Sequence, residues 1–134
     1  MFVKDVMVNP TKLLYEDDTI LSASKYMKEE RVRNLPVVNR GTNKLIGLIT
    51  LREIIEIVFH DPSKILVKDT MIKQVESVTE DVHLNKAVSV MISNKYGCLP
   101  VVDKGNRLIG MITEADLLKT LNEILEKKNI HVVS

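Results

Sequence analysis

The sequence predicts an α+β fold built from two related strand–helix–strand–strand–helix units, and three observations carry that prediction. Short motifs recur at a fixed distance. Val3-Lys4-Asp5-Val6-Met7 returns 64 residues later as Val67-Lys68-Asp69-Thr70-Met71, and Leu35-Pro36-Val37-Val38 returns as Leu99-Pro100-Val101-Val102. Lys44-Leu45-Ile46-Gly47-Leu48-Ile49-Thr50 returns after 63 residues as Arg107-Leu108-Ile109-Gly110-Met111-Ile112-Thr113. The slipped residue falls in a turn, where Arg40-Gly41-Thr42-Asn43 faces the shorter Lys104-Gly105-Asn106. Each copy also pairs two short strand-like runs across such a glycine-containing turn, and places a helical apolar period before them. Self-similarity at one offset marks a chain made of two copies of a unit. Two such copies tend to pair about a pseudo-twofold axis, and the groove between them offers two related sites.

The elements follow in order. An entry segment carries the Asp-x-Met motif and a short extended stretch, Lys12-Leu13-Leu14-Tyr15 in the first copy and Val75-Glu76-Ser77-Val78 in the second. An amphipathic helix is expected from about Thr19 to Arg31, with Leu21, Ala23 and Met27 on its apolar stripe, and its partner from about His83 to Lys95. Strands are expected over 34–39 and 44–50, then over 98–103 and 107–113. A second helix starts after Thr50 and after Thr113. In the first copy Ile54, Ile55, Ile57, Val58 and Phe59 make that helix apolar over most of its circumference, more than one sheet can bury, which points to a subunit interface. In the second copy the helix runs longer, with Leu117, Leu118, Leu121, Ile124 and Leu125 on one stripe and Asn129 as its expected C-cap. The short polar linker His60-Asp61-Pro62-Ser63-Lys64 divides the chain into 1–62 and 63–134, two parts of one compact module. Units of that size are small to stand alone, so a shared core is expected.

Composition bounds the function. The chain has 134 residues, 45% hydrophobic and 28% charged, the profile of an ordinary globular protein. A net charge of +1 gives no electrostatic case for nucleic acid or an acidic membrane surface. The longest apolar runs fall short of a membrane span, no signal-peptide pattern opens the chain, and cytoplasmic is the expected location. Cys98 is the single cysteine and reads as a small core residue. His60, His83 and His131 are scattered, with no metal-ligand spacing. With no glycine-rich phosphate loop and no nucleophile–base pair among sequence neighbours, catalysis is not expected.

The strand-to-helix junctions carry the sharpest signal. Thr50-Leu51-Arg52-Glu53 and Thr113-Glu114-Ala115-Asp116 each place a hydroxyl at a helix N-cap and an acid three residues on. That spacing suits a capping box. It equally suits a ligand: a helix N-terminus offers amides and partial positive charge to a phosphate, and a short Asp one turn in can accept from a ribose diol. Both readings stand at this point.

Together the Asp-x-Met entry, the Leu-Pro-Val-Val strand, the Leu-Ile-Gly-x-Ile-Thr strand and the Thr-x-x-Asp junction resemble the CBS (cystathionine β-synthase) domain family, over about residues 3–122. The two copies resemble a paired CBS, or Bateman, module. The resemblance implies repeats packed sheet to sheet with helices outside, and a non-catalytic regulatory module that binds an adenosine-containing ligand between them. It maps phosphate and ribose to Thr113 and Asp116, the adenine side to Tyr96, Gly97, Cys98, Leu99 and Pro100, and the closing stretch to Val75 through Val78. Arg33, three residues before its proline, would reach a phosphate across the pseudo-dyad. Glu53 departs from the pattern, and its extra methylene takes the carboxylate out of register with a ribose. A weaker second site therefore falls on Thr50, Glu53, Asn34 and Pro36. Arg33, Lys95 and Lys68 point to an anionic ligand, AMP or ATP, with ADP and S-adenosylmethionine as other candidates. The alternative is a structural or dimerisation module without a ligand. Homodimerisation through the second helices is expected, and output would pass to an unnamed protein partner in trans.

Overall fold

The computed structural model describes residues 1–10 and 12–128. Five strands and four α-helices follow in the order β1 (Leu14–Tyr15), α1 (Ile20–Glu30), β2 (Asn34–Val38), β3 (Leu45–Thr50), α2 (Leu51–Glu56), α3 (Leu84–Asn94), β4 (Cys98–Val102), β5 (Leu108–Thr113) and α4 (Glu114–Lys127). The architecture is the expected mixed one, two small sheets with helices. One sheet has the order β1-β2-β3, with β1 parallel to β2 and β2 antiparallel to β3. The other is the antiparallel pair β4-β5. Where β1 stands in the first copy, the second has a single parallel bridge, Val78 to Val101.

Both Asp-x-Met motifs form one turn of 3-10 helix, Val3–Asp5 and Val67–Asp69. The chain then crosses to the other copy. Val8 and Met111 exchange both backbone hydrogen bonds (2.9 and 2.8 Å), and Ile72 and Leu48 do the same (2.9 and 3.0 Å). Each entry segment therefore lies along the free edge of the other copy's sheet. Gly47 and Gly110 permit this approach. A Cβ at Gly47 would collide with Met71 Sδ, and one at Gly110 would stand 3.0 Å from Met7 Sδ.

The core is layered accordingly. Leu14, Ile20, Ala23, Met27, Leu35, Val37 and Ile49 pack between the first sheet and α1, joined by Val67 from the second copy's entry turn. Ala87, Met91, Leu99, Val101 and Ile112 pack around α3, joined by Val3 from the first copy's. Between the sheets lie Val38, Leu45 and Leu48 from one copy and Cys98, Val102, Leu108 and Met111 from the other. The halves share their core, and the sheets pack face to face. The two hairpin turns interlock at the pseudo-dyad. Leu45 N donates to Asn106 O and Leu108 N to Asn43 O, while Asn43 Nδ2 and Asn106 Nδ2 donate to Leu108 O and Leu45 O. Asn43 and Asn106 adopt left-handed φ of 61° and 63°, which asparagine tolerates better than most residues.

Two expectations need correction. The buried stripe of α1 is Ile20, Ala23 and Met27, at spacings of three and four residues, while Leu21 is exposed. Sequence spacing does not fix which of two adjacent apolar residues faces inward. The apolar helix expected through Phe59 stops at Glu56. A run of β-branched residues props a helix poorly, and Asp61-Pro62 lies just beyond. Val58 and Phe59 are left exposed, Phe59 almost completely. Asn129, the expected cap of α4, lies outside the described residues, as do His131 and the rest of the tail.

Candidate functional site

A cleft of about 810 Å³ opens between the two copies. One wall is the start of α4, Thr113 to Ala115, at the end of β5. The facing wall comes from the first copy: Val8, Asn9, Pro10 and Lys12 of the entry segment, and Arg31 through Pro36 leading into β2. Thr50, Arg52, Lys95, Tyr96 and Gly97 close its remaining side. A second cleft of about 470 Å³ repeats the arrangement with the copies exchanged, setting Thr50 and Glu53 beside Ile72 and Asn94 through Tyr96. Chain crossing produces the exchange. Val8 pairs with Met111, two residues before Thr113, and Ile72 pairs with Leu48, two residues before Thr50.

Each expected residue can now be placed. Thr113, Arg33, Asn34, Pro36, Tyr96 and Gly97 come together on the larger cleft. Thr50 lines both clefts, and Glu53 the smaller one. Asp116 lines neither cleft and meets the larger one only through its hydrogen bonds to Thr113. Val75 and Val78 do not line the cleft of Thr113. Val75 packs against the inter-sheet core and Val78 against the α3 core. Cys98, Leu99 and Pro100 are buried in β4. Lys68 sits on the 3-10 turn Val67–Asp69, away from both clefts. Asn34 and Pro36, expected beside Glu53, line the larger cleft with Thr113. Lys12, Arg31 and Arg52 are additions that the motif spacing did not flag. Their available signal was position, since Arg31 and Lys95 occupy the same place in the two copies.

The junctions themselves are capping boxes. Thr113 donates to Asp116 Oδ2 from its backbone N (2.8 Å) and its hydroxyl (2.9 Å), and Asp116 N donates back to Thr113 Oγ1 (3.3 Å). Thr50 makes the same pair of bonds to Glu53 Oε1, from N (2.6 Å) and Oγ1 (2.7 Å). The acids differ in exposure. Glu53 is 7% exposed, folded onto its own helix start, whereas Asp116 is half-buried and its Oδ1 has no hydrogen-bond partner among the described residues. The cap leaves one carboxylate oxygen of Asp116 for another donor.

The floor of the cleft is set by backbone geometry. Gly97 has φ +74°, and a Cβ there would stand 3.2 Å from Glu114 Oε1. Its carbonyl accepts from Glu114 N (3.1 Å), and in the first copy Arg33 O accepts from Leu51 N (2.9 Å). With its amide turned to satisfy its donors, Asn34 bonds the carbonyls of Arg33 (3.1 Å) and Tyr96 (3.3 Å), tying the two copies together behind the cleft. Arg52 is paired with Glu56 (3.5 Å), and Lys12 lies over the Tyr26 ring at 5.0 Å. Arg31, Arg33 and Lys95 have no ion pair or side-chain hydrogen bond with any described residue, as the ion-pair and hydrogen-bond networks run elsewhere. Burial, with Glu114 adding to it, pushes the Cys98 thiol up to about 12, so it is no nucleophile at neutral pH. Among the described residues no group of three or more His, Cys, Asp or Glu could hold a metal ion. Among the described residues no helix is long and apolar enough to cross a membrane.

The family model of the CBS domain matches residues 3–60 and again 67–123. The chain belongs to the CBS domain family. It is 39% identical over 115 residues to inosine-5'-monophosphate dehydrogenase of Methanocaldococcus jannaschii, a match covering 86% of this chain and 22% of that protein. It is 38% identical to the uncharacterized protein MJ1426 of the same organism, covering 90% of this chain and 91% of the relative. It spans 53% of another relative, MJ1225, and 64% of a 17.7 kDa protein of Acidianus ambivalens. Most of the relatives it matches are therefore longer proteins. Among solved structures, MJ1004 of M. jannaschii superposes with a TM-score of 0.83 at 28% identity, over 92% of this chain and 60% of that one. The CBS domain pair of MJ0100, in complex with 5'-methylthioadenosine and S-adenosyl-L-methionine, gives 0.81 at 24% identity, over 92% and 97%. CBSX2 in complex with AMP gives 0.81 at 23% identity, over the same shares. These last two likenesses establish the shared fold.

Proposed function

We propose that this CBS pair is a non-catalytic regulatory module that binds an adenine nucleotide in the larger cleft. One observation carries the reading: Thr113, Glu114 and Ala115 at the start of α4 line a cavity of nucleotide size together with Arg31 and Arg33 of the other copy, and Asp116, bonded to Thr113, stands just behind that lining. The helix start and the cations would take phosphate, and Asp116 Oδ1 the ribose hydroxyls. Leu35, Pro36 and Met111 supply an apolar surface for a base. Solved CBS pairs of the same fold are described with AMP and with adenosyl compounds, which supports the ligand class. The Glu53 cleft is smaller and its acid is buried in its own cap, so we assign it weak or no occupancy.

Binding would bridge the copies, and a regulatory effect requires that the ligand prefer one arrangement of the module or its partner over another. Leu51 and Ile55 of α2, Val58 and Phe59 just after it, and Leu118 and Leu121 of α4 leave exposed apolar surface along the second helices and their ends. That surface supports a homodimer or a docked effector protein. The structural reading without ligand draws support from one fact, that both Thr-x-x-acid motifs complete capping boxes.

Calorimetric titration with AMP, ADP, ATP and S-adenosylmethionine, alongside Asp116→Ala, tests the proposal. Micromolar binding at about one site per chain, weakened in the variant by roughly ten- to a hundredfold, is expected from the loss of a charged hydrogen bond. Absence of heat with all four ligands, from protein verified free of nucleotide, would leave the structural reading.

A further inference from the structure

We infer that the cleft selects a polyphosphate chain, a nucleoside di- or triphosphate over a monophosphate, through Arg31 and Lys95, one from each copy, together with Arg33. The inference rests on the nucleotide reading above and adds its specificity.

Arg31 ends α1 and Lys95 ends α3, each with its backbone N–H on the carbonyl four residues back. Both have left-handed backbone, φ 54° and 64°. Helices usually close this way on glycine, because a Cβ is strained there and glycine is not. The chain instead places a long cation at this position in both copies. Capping alone does not call for it. A cation at a helix C-terminus also complements the dipole, which suits Lys95 because α3 has no basic residue in its last turn, whereas α1 already carries Lys28 there. What Arg31 and Lys95 share beyond the cap is the cleft, which both line.

They also make no ion pair among the described residues. Arg33 makes none either, and all three are exposed, while other bases of the cleft are engaged, Arg52 with Glu56 and Lys12 over Tyr26. Of the acids on the walls, Glu114 lies against Gly97, and Glu30 has an interaction of its own. A chain of net charge +1 thus gathers three open cations in one cavity. A monophosphate held at the α4 start leaves cations from one copy or the other unmatched. A di- or triphosphate extends past that anchor and offers oxygens to cations of both copies. The sulfonium of an S-adenosyl ligand would add positive charge where three cations already lie.

The experiment is titration of the full chain with AMP, ADP, ATP and inorganic tripolyphosphate, repeated on the Arg31→Gly/Lys95→Gly double variant. Glycine suits both backbones, so the variant should melt no lower than the parent. The parent should bind ATP about tenfold or more tightly than AMP, and tripolyphosphate should compete with ATP. In the variant ATP should weaken by about ten- to a hundredfold, as expected for lost charge-assisted bonds, with AMP nearly unchanged, so that the preference collapses. The ratio of ATP to AMP affinity is the readout, since a folding defect would lower both together. Equal affinity for AMP and ATP in the parent, or a ratio that survives the double substitution, would overturn the inference while leaving the nucleotide site standing. Failure of every nucleotide to bind the parent would overturn the nucleotide reading itself.

Discussion

Substituting Gly47 by alanine probes the crossing that builds both clefts. The new Cβ would collide with Met71 Sδ and lie 2.9 Å from Met71 Cγ and 3.0 Å from the carbonyl oxygen of Ile72. The thioether can swing aside, but the Ile72 carbonyl belongs to the backbone and accepts from Leu48 N at 3.0 Å. The strain therefore loads the hydrogen-bonded pair that ties the second entry segment to β3. Overpacking of this kind costs about 1–3 kcal/mol, and a backbone obstacle places Gly47→Ala in the upper part of that range. Gly110 is the internal control, because a Cβ there meets Met7 Sδ at 3.0 Å and Val8 O at 3.3 Å. Its alanine variant should lose about 1 kcal/mol. For a domain of this size, about 2–3 kcal/mol corresponds to a fall in Tm of roughly 6–15 °C. Urea unfolding and calorimetry of both variants, with Met71→Ala and the double variant, complete the cycle. Removing the thioether relieves the closest contact, so the Gly47–Met71 pair should be non-additive by about 1 kcal/mol. A neutral Gly47→Ala, or a strictly additive cycle, would refute the argument that Met71 of one copy is wedged over the strand of the other.

Three further outcomes are expected. Asp116→Ala should cost only about 1 kcal/mol of stability, as loss of a cap acid, while its effect on nucleotide affinity is larger; equal losses in both would mark Asp116 as a cap alone. The raised Cys98 pKa stabilises the fold fully below the unfolded thiol pKa, and that contribution is lost as pH climbs from there toward 12. At pH 10 the parent should have lost about 2 kcal/mol relative to Cys98→Ala, measured by urea unfolding at pH 7.5 and 10, whereas parallel pH profiles would contradict the burial argument. Phe59→Glu with Leu118→Lys should shift any dimer toward monomer in sedimentation without lowering Tm, because both side chains are exposed within one chain; unchanged association would place the interface elsewhere.

Much of the fold was legible because its signals are local. Thr19, Thr50 and Thr113 stand before their helices as N-caps, and the two hairpins lie where their apolar runs and turns place them. The short pieces were less legible. The turns Val3–Asp5 and Val67–Asp69 are held by contacts with the other copy: Val3 N donates to Val82 O, and Val67 N to Asp18 O. The partner of an entry segment was not legible at all. Val8 and Ile72 pair with Met111 and Leu48, but a repeat offset is the same whether segments pair within a copy or across copies. For the same reason the sequence named most of the residue types at the cleft, yet gave no signal that Val8 and Pro10 line it beside Thr113. Arg31 was hidden because a residue ending a helix reads first as a cap, and only the fold shows it lining a cavity.

The most direct test is a backbone amide NMR titration of the chain with its tightest-binding nucleotide. Thr113 through Asp116 should shift together with Val8, Asn9, Lys12 and Arg31 through Leu35 of the other copy, while Val75 and Val78 stay still. Shifts at Thr113 accompanied by Val75 and Val78 alone, or none at either, would contradict a site built across the two copies.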